Sequence, residues 1–323
     1  MSDKDNNSKI INIPFLPVVV FPPDDPNRQL LKISIAISIT MILAFISSLS
    51  YLVFFSPTEE GAFFKESELG GMAAIYNFVF YLIMVVIFSI ILYIMIKFRI
   101  LNILAILQST LLGFISGLSA GLYIPLWVLI AMIFFDNLGL IPPISDSVII
   151  LFFTALEIIS FIFFFILQSL ALLTDKLGRF RNPTLILTSS WVGALLGLTL
   201  GKWTPIIFML GFAAYDIFAV FKGPLKKISD ELKHILEEER EESDRSELSL
   251  ILGLGDLFFY SLAVSYSYAY LGFIPMLLVL LVILIGSICT VMISIRDEEK
   301  KALPALPIPM FLSLIIVGIF LFL

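Results

Sequence analysis

Two aspartates stand inside apolar runs, where a carboxylate is costly. Asp216 lies in LGFAAYDIFAVFKGP and Asp256 in SLILGLGDLFFYSLAV. Even on the mildest insertion scale, a charge at the bilayer centre costs about 2.5–3.5 kcal/mol. Asp216 comes six residues before Lys222, and Asp256 eight residues after Leu248, where its apolar run begins. At 1.5 Å per residue these depths are about 9 and about 12 Å from one membrane edge, on helices of opposite direction. That is the geometry of a pair sharing one site. Two facing carboxyls can share a proton, leaving one protonated and one ionised near neutral pH. The ionised partner can take a proton from a water that attacks a peptide carbonyl. The protonated partner can donate to the developing oxyanion, then to the leaving nitrogen. Neither a metal, a cofactor nor a covalent intermediate is needed. The same residue types fit two other readings: a proton- or cation-coupled transporter, or carboxyls that only hydrogen-bond two helices together.

Two further elements accompany the aspartates. Gly253, Leu254 and Gly255 precede Asp256 as GLGD. Glycines here let backbone or substrate approach closely and can loosen a helix. The second element is KKALPALPIPM, residues 300–310, in which Pro304, Pro307 and Pro309 predict an irregular first turn. Its free N–H and C=O groups could pair with an extended substrate, as in strand addition. The plainer alternative is a helix start punctuated by prolines. Glu157 in TALEIIS, Asp136 in FFDNLG and Asp146 in a loop are weaker candidates.

What must position these residues is a membrane protein. The chain has 323 residues, 59% hydrophobic and only 14% charged, where a soluble domain carries about 25% charged residues. Mean hydropathy is +1.05. A soluble enzyme, a disulfide scaffold and a disordered chain are excluded. The net charge of -6 gives no reason to expect nucleic acid. The single cysteine, Cys289, allows no internal disulfide, and the single histidine, His234, allows no HExxH zinc site. No signal peptide is expected.

Apolar stretches fall at about 30–55, 72–96, 101–141, 147–173, 184–201, 203–222, 248–270, 272–294 and 304–323. A span needs about 20 residues. Read as nine crossings, they put every break rich in Lys and Arg on the cytoplasmic side. The expected fold is thus an all-α polytopic membrane protein of nine transmembrane helices, N-terminus cytoplasmic. Residues 101–141 would cross once and then make an excursion around Pro125, Pro142 and Pro143. Four parts follow: a polar, irregular tail (1–29), an N-terminal six-helix half with Asp216 (30–222), a charged loop (223–247), and a three-helix part with GLGD and the prolines (248–323). The small residues of SSWVGALLGLTLG could pack on a helix of this chain or of a second copy, which leaves a homo-oligomer open.

Together, Tyr215-Asp216, Gly253-Leu254-Gly255-Asp256 and Pro304-Ala305-Leu306 resemble the presenilin and signal peptide peptidase family of GxGD intramembrane aspartyl proteases. The flanks YDIFAVFKGP and GLGDLFFYS look most like presenilin, and the resemblance runs from about 72 to 323. It implies a presenilin-like fold, with Asp216 and Asp256 as the catalytic pair. Tyr215, Gly253, Leu254, Gly255, Pro304, Ala305 and Leu306 would shape the site or position substrate. The substrates implied are transmembrane helices of membrane proteins, unwound locally before the cut. Animal presenilins work with partner subunits and are cleaved in a long loop. Here the connection at 225–247 is short and charged, KKISDELKHILEEEREESDRSE in its main part. That departure makes self-cleavage doubtful and suggests a microbial, archaeal-like homologue in a cell membrane, without animal-type partners.

Overall fold

The computed structural model describes residues 18–21, 26–138, 145–223, 250–296 and 304–323. Strand β1 (Val18–Phe21) precedes α1 (Pro26–Phe54). A short α2 (Glu66–Leu69) leads to α3 (Met72–Lys97), followed by α4 (Leu101–Asn137) and α5 (Asp146–Leu173). A 3-10 turn (Asp175–Phe180) opens α6 (Arg181–Thr199), then α7 (Thr204–Phe221). Strand β2 (Leu250–Gly253) runs directly into α8 (Leu254–Leu271), and α9 (Phe273–Arg296) and α10 (Pro307–Phe322) complete the chain. The two strands form one small antiparallel sheet.

The outer helices α3 and α5 are largely apolar, and few of their apolar residues are buried. A soluble protein does not leave such surface in water, and hydrocarbon is its natural solvent. This is a multi-pass integral membrane protein.

The core is built differently. α6 and α8 pack tightly because Gly193 and Gly197 let the backbones meet. A Cβ on Gly193 would stand 2.5 Å from the Phe258 carbonyl, and one on Gly197 2.9 Å from that of Leu262. The small-residue stripe of 184–201 is therefore occupied within this chain. Several of the hydroxyls buried with it are satisfied locally: Thr188, Ser190 and Ser261 donate to the carbonyls of Thr184, Ile186 and Leu257, four residues back.

The expectation of nine crossings is corrected. Among the described residues, six helices are long and apolar enough to span: Arg28–Phe54, Met72–Lys97, Asn102–Asn137, Ser147–Leu173, Thr204–Phe221 and Phe273–Ile293. The stretches at 184–201 and 248–270 contain α6 and α8, most of whose Ser and Thr residues, with Gly193, Gly197, Tyr260 and Tyr266, are buried against other helices. The last stretch holds a helix of only 16 residues. The cytoplasmic N-terminus rested on the parity of nine crossings and falls with that count.

Local boundaries also differ. α4 continues through Pro125 as one helix of 37 residues, so no excursion begins there; Pro142 and Pro143 lie outside the described residues. The 1–29 segment, expected to be irregular, contains β1 and the start of α1. Apart from Gly223, the loop 223–247 lies outside the described residues, as does 300–303 of the proline-rich segment.

Candidate active site

α7 is fixed at its start by a carboxylate. Glu66 accepts the N–H groups of Lys202, Trp203 and Thr204 and the Thr204 hydroxyl at 2.7–2.9 Å. These are donors a helix N-terminus leaves free, and negative charge is favoured there. Asn77 ties the same end to the α2–α3 region, bonding the Phe64 backbone and the Thr204 hydroxyl. Further along, the Phe78 ring of α3 lies against Gly211, and the Phe212 ring meets Phe259 of α8 in a tilted contact, centroids 5.0 Å apart. Asp216 then falls in the last third of α7.

Asp256 reaches the site by another route. Its helix was expected to start at Leu248, but 250–253 is strand and α8 begins at Leu254, with Gly253 as N-cap. Asp256 is thus in the first turn, not eight residues deep. Its carboxyl folds back to the Gly253 backbone N–H, the reciprocal half of a capping box. Gly253 makes room: a Cβ there would stand 2.9 Å from Asp256 Oδ2.

The two half-buried carboxyls lie within electrostatic reach of each other. Asp216 Oδ2 also accepts the Leu306 N–H at 3.1 Å. Residues 304–306 are non-helical, and α10 starts at Pro307. The prolines therefore act in both ways. Pro307 and Pro309 occupy a first turn whose N–H groups need no partner, while Pro304 to Leu306 present free backbone to Asp216. Gly286 of α9 lets this start approach, since a Cβ there would be 2.9 Å from Pro309 Cα.

Sequence reading missed Tyr260. It follows Asp256 by four residues, is 1% exposed, and donates its hydroxyl to the Ala305 carbonyl at 3.2 Å. The signal available was spacing, since i and i+4 share a helix face; the partner is 45 residues away. An apolar cavity of about 270 Å³ was also missed, lined by Ile217, Phe221, Thr290, Ile293, Pro304, Pro307 and Ile308. It begins one residue past Asp216.

The other predicted residues sit as follows. Tyr215 is half-buried, edge-on to Phe212 at 6.4 Å. Leu254 packs on the core, and Gly255 faces open space. Glu157 and Asp136 are exposed on α5 and α4 and join no part of this cluster. The Asp146 side chain lies outside what is described. A larger cavity, about 440 Å³, surrounds Glu59, Glu66, Lys202 and Tyr270 at the opposite end of α7, away from both aspartates.

Residues 229–322 match the family described as Presenilin. That segment contains Gly253, Gly255, Asp256 and Pro304 to Leu306; Asp216 precedes it. A solved presenilin family intramembrane aspartate protease superposes with a TM-score of 0.53, covering 90% of this chain and 98% of the other, at 14% identity. The fold is that of the presenilin family. Presenilin-B of Dictyostelium discoideum is 32% identical over 148 residues, 42% of this chain. The chain spans only 30% of that relative's length. Within the presenilin fold, the strand-to-helix junction at Gly253 meets one aspartate and the 304–306 segment meets the other.

Proposed function

We propose that this protein is an intramembrane aspartyl endopeptidase, with Asp216 and Asp256 as its catalytic pair. The observation that carries the reading is their convergence: two carboxyls from separate helices, within reach of each other, beside a non-helical backbone that donates to one of them. In this reading the ionised carboxyl deprotonates water, which attacks the scissile carbonyl carbon. The protonated carboxyl donates to the oxygen, and the proton then passes to the leaving nitrogen as the C–N bond breaks. Tyr215, Leu254, Gly255 and the 304–306 segment would shape the groove or hold substrate. A transmembrane helix must unwind to expose its peptide bonds, and the cavity beside Asp216 offers room for one apolar side chain. The substrates would be transmembrane segments of other membrane proteins, cut without animal-type partner subunits in a microbial membrane.

The test is mass spectrometry of a single-span protein incubated with the purified enzyme, beside Asp216→Asn and Asp256→Asn. New ends inside the span, absent from both variants, are expected. No cleavage of several substrates, together with proton-driven solute uptake into vesicles, would replace the protease with a coupled transporter.

A further inference from the structure

The site described so far gives β1 no part. Yet β1 pairs with the strand that leads into Asp256. Its register is antiparallel: Val18 opposite Gly253, Val19 opposite Leu252, Val20 opposite Ile251, Phe21 opposite Leu250. Gly253 is also the residue whose N–H the Asp256 carboxyl meets. Read from Phe21 back to Val18, β1 runs as β2 does, toward the first turn of α8. Its Val18 end therefore stands opposite the residue that touches one of the two carboxyls.

A free strand edge offers a row of N–H and C=O groups to any extended peptide. Beside a pair able to hydrolyse peptide bonds, that edge is where an unwound substrate finds backbone partners. Here this chain's own residues fill one of the two edges of β2. Three valines and a phenylalanine favour the extended state. Pro17 on one side and Pro22-Pro23 on the other prevent the ladder from growing. A short two-stranded pair is only marginally stable by itself, so such an occupant is exchangeable. We propose that β1 is an internal substrate mimic: it covers the β2 edge and must leave before the extended backbone of a substrate pairs there. This rests on the proteolytic reading above.

In an antiparallel pair, successive residues alternate in pointing their N–H at the partner. The full chain carrying both Val19→Pro and Val20→Pro therefore loses a ladder donor whichever residue supplies it. If β1 is docked nine-tenths of the time, KM for a single-span substrate should fall about tenfold with kcat unchanged. A second arm locks the strand. Val19→Cys with Leu252→Cys places two thiols at facing positions, within disulfide reach. The exposed Cys289 is first replaced by serine. Oxidation should stop cleavage and reduction should restore it. An active enzyme whose KM ignores the prolines, or a cross-linked protein that cleaves at its reduced rate, would overturn the mimic. Cross-linking without cleavage by any form, reduced parent included, would overturn the proteolytic reading and the mimic with it.

Discussion

Tyr260 and Asp216 hold the two ends of one peptide group. The Tyr260 hydroxyl donates to the Ala305 carbonyl at 3.2 Å, and the Leu306 N–H of the same unit donates to Asp216 Oδ2 at 3.1 Å. A peptide is planar, so turning this one away from either residue turns it from both. Tyr260 sits one helical turn beyond Asp256. The helix that carries one aspartate therefore orients, through a single amide plane, the donor that meets the other.

Tyr260→Phe removes only the hydroxyl and keeps a ring that is 1% exposed. One hydrogen bond is worth about 0.5–1.5 kcal/mol. We expect kcat to fall by up to about tenfold, because the amide is no longer held for Asp216. KM should change little, and the unfolding midpoint should fall by no more than the few degrees that one hydrogen bond is worth in a chain of this length. Steady-state kinetics beside thermal unfolding separate this positioning role from a merely structural one, which would lower the midpoint and leave kcat alone.

Leu306→Pro is a sharper probe of the same amide. Leu306 has φ -75, close to the value proline imposes, so the backbone path is retained. The Leu306 N–H that meets Asp216 is lost, while that of Ala305 remains. Cleavage should drop well below that of Tyr260→Phe. Leu306→Ala, which keeps the donor but gives up the buried side chain, should retain more activity than the proline variant. The reverse ranking would mean that the side chain, and not the amide, matters here.

The sequence exposed what is local and hid what is not. Asp216, Asp256 and the proline cluster stand out because carboxylates and prolines are rare in apolar runs, and each signal lies within a few residues. The partners of these groups do not. β1 is four apolar residues between prolines, too short for a period, and its partner strand lies more than 200 residues away. Tyr260 looks like any aromatic of a buried helix until Ala305 is brought beside it. The start of α8 was misplaced because LSLILG reads equally as strand or helix by apolarity alone. The span count failed for a related reason. Hydropathy marked 184–201 and 248–270 as apolar, but not that their Gly, Ser and Tyr residues were meant for neighbouring helices.

Glu66 is predicted to matter for stability before chemistry. Its carboxylate holds three backbone N–H groups and a hydroxyl at the start of α7. Glu66→Ala should destabilise the protein by about 0.5–2 kcal/mol, the usual range for a lost helix cap. Glu66→Gln keeps an acceptor without the charge and should lose less. Denaturant or thermal unfolding in detergent measures both. Equal losses would show that the charge, and not the acceptor oxygen alone, holds the helix end; a Glu66→Gln variant as stable as the parent would show that the charge contributes nothing.

Gly253 and Gly255 flank Leu254 in the same short motif, yet their surroundings predict opposite responses to one methyl group. Gly253 has φ -66 and ψ 140, a conformation alanine adopts freely, so Gly253→Ala should fold. Its Cβ would stand 2.9 Å from Asp256 Oδ2, inside ordinary contact distance, and the carboxyl must turn away from the Gly253 N–H. Cleavage should therefore fall at least about tenfold, the equivalent of about 1.4 kcal/mol in the barrier. Around Gly255 nothing lies within 4 Å of the corresponding Cβ, and the residue is helical. Gly255→Ala should leave the carboxyl where it is and gain about 0.5–1 kcal/mol from the stiffer unfolded chain and better helix propensity. Kinetics and unfolding midpoints of the two variants, measured side by side, decide the point. If Gly255→Ala instead loses activity without losing stability, the open face beside it is where the substrate backbone passes, and the motif needs both glycines for different reasons.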